Sequence, residues 1–149
     1  MMRAVALGIC LAGLPLGASA QSTFERFETV AVAMNALMNE ALVAEIPALE
    51  GNLPDPEWDA PMRTAYTCMY DGYVARVGEA PVAEMITGME DMLASISPME
   101  MLQGGGAVEN PDGISDADAL EIVDGCNLMD VFTARMTESG AMEIMMQQQ

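Results

Sequence analysis

The chain has no histidine and no lysine, and only five arginines stand against 23 aspartates and glutamates. Without histidine there is no Ser-His-Asp or Cys-His machinery and no imidazole-ligated metal site. A formal charge of −18 over 149 residues repels a phosphate backbone, so nucleic acid is excluded as a partner. Aromatic residues make up 5% of the chain, and Trp58 is the single tryptophan. No Cys-x-x-Cys pair suggests a catalytic dithiol. No segment alternates apolar and polar residues over a strand's length, and no turn signal joins two β-branched runs. Internal repeats and a second domain are absent too. What remains is 52% apolar, ample for one buried core.

The first 20 residues read as a secretory signal. Arg3 supplies the positive start and Ala4 to Gly17 form a short apolar run. Ala18-Ser19-Ala20 then has the small-x-small pattern of a cleavage site, with Gln21 as the first mature residue. The run falls short of the roughly 20 apolar residues of a spanning helix. No stable membrane insertion is therefore expected after cleavage, and the periplasm or the exterior is the expected destination. The mature chain carries four arginines against 23 acids, a formal −19, and two cysteines. In an oxidising compartment these predict one disulfide, Cys68–Cys126, stabilising by about 4 kcal/mol through loop closure. The acids are scattered along the chain, which fits a soluble acidic surface.

Residues 21–149 read as one all-α domain, a small four-helix, bundle-like fold with one inter-helix disulfide. Ser22-Thr23-Phe24-Glu25 is a capping box opening the first helix, whose apolar face includes Phe24, Phe27, Val30, Met34 and Leu37. Pro47 ends it, and Pro54-Asp55-Pro56 marks a loop up to Asp59, with Trp58 expected to plug one end of the core. A second helix over 59–77 has two stripes. Ala65, Cys68, Gly72 and Ala75 are small and admit a close neighbour, while Tyr66, Tyr70, Tyr73 and Val77 form an aromatic and apolar face. A third helix begins near Pro81 and buries Val82, Met85, Ile86, Met89, Met92, Leu93 and Ile96. Ser97-Pro98-Met99-Glu100 starts a short helix reaching Gln103, followed by a Gly104–Gly113 loop. A fourth helix capped by Ser115 presents Ala119, Ile122, Cys126, Met129, Thr133 and Met136 on one face as far as Gly140. From about residue 140 onward the chain is expected to fray.

Methionine is the one compositional excess: 16 in all, 14 without Met1 and Met2. Thioethers are soft ligands that select Cu(I), so Met85, Met89 and Met92, at i, i+4 and i+7, are candidate metal ligands. The same residues continue an apolar helix face, and methionine is an adaptable core filler, so packing is the favoured reading of them. Exposed methionines also suit promiscuous recognition, with Met142, Ile144, Met145 and Met146 the expected surface. Asn110, Asp112, Asp116, Asp118 and Glu121 offer oxygen ligands for Ca²⁺, but without the acid and glycine order of an EF-hand. No paired carboxylates sit in a recognisable catalytic setting, and no lysine or histidine assists them. The sequence therefore predicts no cofactor and no catalysis. It points to an exported, non-catalytic protein-interaction or chaperone-like module with an unknown protein partner. A methionine-based Cu(I) carrier is the alternative.

Overall fold

The computed structural model describes residues 21–148 and is all α: seven helices and, among the described residues, no strand. Residues 1–20, read from the sequence as a secretory signal, lie outside the described residues. Helix α1 (Thr23–Glu45) starts where the sequence marks it. The Ser22 hydroxyl accepts from the Glu25 N–H at 3.2 Å, and the Glu25 carboxylate accepts from the Ser22 N–H at 2.8 Å. These satisfy two of the four N–H groups that a helix start leaves unpaired. Proline at 47 then forces a single 3₁₀ turn, Pro47–Leu49.

Helix α2 (Ala60–Val77) is capped by Asp59, whose carboxylate accepts from the Met62 N–H at 2.9 Å. Only Gly78, at φ 83°, separates α2 from α3 (Glu79–Leu93). That left-handed conformation is cheap for glycine and turns the chain back within one residue. Helix α3 therefore begins two residues before Pro81, which is tolerated because the first turn has no intrahelical N–H bond to lose. Ser97 and Glu100 form a second capping box on the one-turn α4 (Pro98–Glu100). A wider turn over Met101–Gly105 follows, broken at Gly104 with φ 86°.

The expected fourth helix is two helices, α5 (Asp116–Gly125) and α6 (Leu128–Glu138). Between them Asn127 adopts φ 54°, left-handed backbone that asparagine tolerates better than most residues. The swing turns α6 away from the apolar face of α5. Leu128 and Val131 are half-buried and Met136 is buried, while Met129 and Thr133 face solvent. The chain end is also ordered where fraying was expected. Ala141–Gln147 form α7, entered through Gly140 at φ 85°, and Ala141 is fully buried.

The main core joins Phe27 and Val30 of α1, Met69 and Tyr73 of α2, Val82, Ile86 and Met89 of α3, and Ile122 of α5, with Ile114 beneath the preceding loop. A smaller cluster gathers Leu49, Met136 and Ala141, with Met142, Ile144 and Met145 packed against it. Of the four C-terminal residues expected on the surface, only Met146 is exposed; the other three cover this second cluster. Helix α2 packs on α3, α5 and α6, and α1 packs on α3, α4 and the turns at Pro47–Leu49 and Met101–Gly105. Cys68 and Cys126 are disulfide-bonded, with Cα atoms 5.7 Å apart. One helical turn below Cys68, Gly72 faces Ile122. A Cβ there would lie 2.9 Å from the Ile122 Cγ2, so the small stripe lets α5 close on α2.

Candidate functional site

Two features of the surface offer room or apolar area for a partner. The first is a methionine-lined cleft between α3 and the loop after Gly104. Met85, Met89 and Met92, the candidate ligands, do line one space of about 460 Å³, facing Ala107, Val108 and Asn110 across it. Met85 and Met89 also line an adjoining space of about 300 Å³, which Met34 of α1 and Met69 of α2 complete, with Phe27, Tyr66 and Tyr73. Met89 and Met69 are 6% and 8% exposed; Met34, Met85 and Met92 are half-buried. Helical spacing found the three residues on α3. Met34 and Met69 could not be added that way, because they come from other helices and meet α3 only in the fold.

The charges around this cleft all have one sign. Glu84, Glu109 and Asp112 line the outer space and Glu109 the inner one; no arginine lines either. The uncharged polar groups are the amides Asn35 and Asn110 and the phenols Tyr66 and Tyr73. Burial pushes both phenols above their usual pKa, so they stay neutral hydroxyls.

Aromatic rings close the neighbouring end of the core. Trp58 stacks on Tyr66 with centroids 4.2 Å apart and 5° between planes, and meets Phe27 edge-on at 5.9 Å. Its indole N–H is buried without an acceptor. The Pro54–Asp59 loop that carries it is tied from both sides. Asn39 donates to the Pro54 carbonyl at 2.9 Å. Arg135 donates to the carbonyls of Asp55 and Glu57 and pairs with the Asp59 carboxylate at 3.0 Å.

The second feature is the outer side of α6. Met129 is 58% exposed and Phe132 is 45% exposed, one turn apart on one helix. Phe132 borders a small groove of about 40 Å³, lined also by Met38 and Leu42 of α1 and by Pro54 and Pro56. Sequence periodicity placed Met129 inward and did not single out Phe132, because it ran one helix through Asn127.

Every arginine among the described residues is taken. Arg26 pairs with Glu90 at 2.6 Å and Arg63 with Glu28. Arg76 pairs with both Asp118 and Glu121, and Arg135 with Asp59. The guanidinium of Arg26 holds Glu90 below the usual carboxylate range. Hydrogen bonds from Ser115, then Arg76, do the same for Asp118. Five of the 23 acids are thus matched, and the rest project an unbalanced negative field. Three of the four acids considered for Ca²⁺ are engaged locally. Asp118 caps α5 and pairs with Arg76, Glu121 pairs with Arg76, and Asp116 accepts from Asn110 at 2.9 Å. Among the described residues no group of three or more Cys, Asp or Glu side chains is placed to hold a metal. None of their helices is long and apolar enough to cross a membrane.

Fold and surface together define a small, acidic, all-α domain with one disulfide and a methionine-lined cleft. Compared with protein families, curated proteins and solved structures, the chain has no significant match in any of the three.

Proposed function

We propose that the chain is a non-catalytic protein-interaction or chaperone-like module that docks basic, amphipathic polypeptide segments. The observation that carries this reading is the exposed pair Met129 and Phe132 on α6, beside the groove of Met38, Leu42, Pro54 and Pro56. An amphipathic helix presents apolar anchors at the same one-turn spacing, and a methionine surface adapts to their shapes. Charge selects among such helices. With each described arginine already paired, a lysine- or arginine-rich segment is attracted and an acidic one is repelled. The carboxyls of Glu25, Glu90, Glu100 and Asp118 are shifted down, by capping or by arginine, so these four are held ionised in structural roles. The working place is the periplasm or the exterior, after removal of residues 1–20. The Cys68–Cys126 bond fits an oxidising compartment.

Two synthetic helices with the same leucine and phenylalanine face test this, one flanked by lysine and arginine and one by glutamate. The basic helix should bind, with affinity falling as salt rises, and the acidic one should not. Phe132→Asp and Met129→Asp lie on the surface and should leave the fold intact while each costs about 1–2 kcal/mol of binding. Binding that is indifferent to both substitutions, or equal for the two helices, would refute the reading.

A further inference from the structure

The methionine cleft is separate from the α6 face and has its own chemistry. Four thioethers, Met34, Met69, Met85 and Met89, come from three helices to the wall of one space of about 300 Å³. Met69 and Met89 also belong to the main core, and Met34 and Met85 pack against it. Here the side chains border room for a guest. Its character is constrained by what lines it: soft sulfur, the apolar Phe27, Ala31 and Val108, neutral amide and phenol oxygen, the one carboxylate of Glu109, and no cation. An anionic guest would meet Glu84, Glu109 and Asp112 at the mouth with no arginine to balance its charge. A hard divalent ion would need several carboxylates in the wall, and the inner space has only Glu109. A soft monovalent cation is favoured on both counts. The acidic outer space attracts it, and the thioethers replace its solvent shell.

We propose that Met34, Met69, Met85 and Met89 form a binding site for Cu(I), with Met92 lining the acidic approach. The site takes the ion by ligand exchange alone: thioethers displace solvent or carrier ligands, with no electron transferred and no proton released. The sequence-level set of Met85, Met89 and Met92 is thereby redrawn. The α3 stripe supplies two ligands rather than three, and α1 and α2 supply the other two.

Silver(I) is the probe of choice, because it mimics Cu(I) without a reductant that would open Cys68–Cys126. The mature protein is titrated with silver nitrate in chloride-free buffer. Stoichiometry is read by native mass spectrometry, and each methionine by the NMR shift of its ε-methyl group. The expected result is one ion per chain, with the four ε-methyl signals of Met34, Met69, Met85 and Met89 moving together. Met34→Leu and Met85→Leu replace half-buried side chains at nearly constant volume. Each should keep the helical circular dichroism and weaken silver binding by roughly tenfold or more. Met99→Leu and Met146→Leu, at exposed positions, should change nothing. The proposal is overturned if no silver is retained, or if the shifted methyls are those of Met142, Met145 and Met146. Undiminished affinity in Met34→Leu and Met85→Leu would overturn it equally.

Discussion

Gly72 shows how much one absent methyl group decides. Its hydrogen faces Ile122, and the helix axes of α2 and α5 can approach because nothing larger is there. Alanine would improve helix propensity by about 1 kcal/mol. It would also set a Cβ 2.9 Å from the Ile122 Cγ2, closer than packed carbons come. Overpacking of this kind costs about 1–3 kcal/mol. Gly72→Ala should therefore lower stability by about 1 kcal/mol net, read from the urea midpoint at unchanged slope. A stabilised Gly72→Ala would mean that Ile122 can swing aside without loss. Trp58 makes the complementary point. Its ring is placed by stacking on Tyr66, and its N–H goes without an acceptor for the sake of that placement.

At the scale of elements, the turn at Asn127 determines what α6 shows to solvent. Left-handed backbone costs a β-branched residue about 1–2 kcal/mol more than it costs glycine or asparagine. Asn127→Gly should be close to neutral, and Asn127→Val should lose about 1–2 kcal/mol in thermal or urea unfolding. Equal stability of the two would show that α5 and α6 can run on as one helix. Helix starts were legible in the sequence because they are local. Ser22, Ser97 and Ser115 each have their capping partner three residues away, and all three boxes form. The disulfide was legible because only two cysteines follow residue 20. The break at Asn127 was not legible, since apolar spacing on either side of it still fits one continuous period. The docking of α7 was missed for another reason. A seven-residue helix is not stable alone, and it holds here because Leu49, distant in sequence, joins Met136 in receiving Ala141. The candidate cleft was half legible: periodicity gave Met85, Met89 and Met92, and only packing could add Met34 and Met69.

For the molecule as a whole, the charge is the main strain on the folded state. Five matched acids leave most of the 23 repelling one another across a small surface. Salt screens that repulsion over about 10 Å at 0.1 M. It also weakens the arginine pairs, but these are partly exposed and few, and exposed ion pairs contribute little. The melting temperature should therefore rise as sodium chloride is added at neutral pH. A fall would show that the few arginine pairs outweigh the dispersed repulsion.

The bond between Cys68 and Cys126 has a topological consequence. It makes residues 68–126 a closed ring that contains α3, α4 and the loop over the methionine cleft. A protease that severs this loop at Val108 or Glu109 opens the ring but frees no piece, since each half remains tethered through sulfur. The nicked molecule would run as a single species until a reductant is added, and then separate in two. A cut in the Pro54–Asp59 segment lies outside the ring and has no such safeguard: α1 would be held only by its packing.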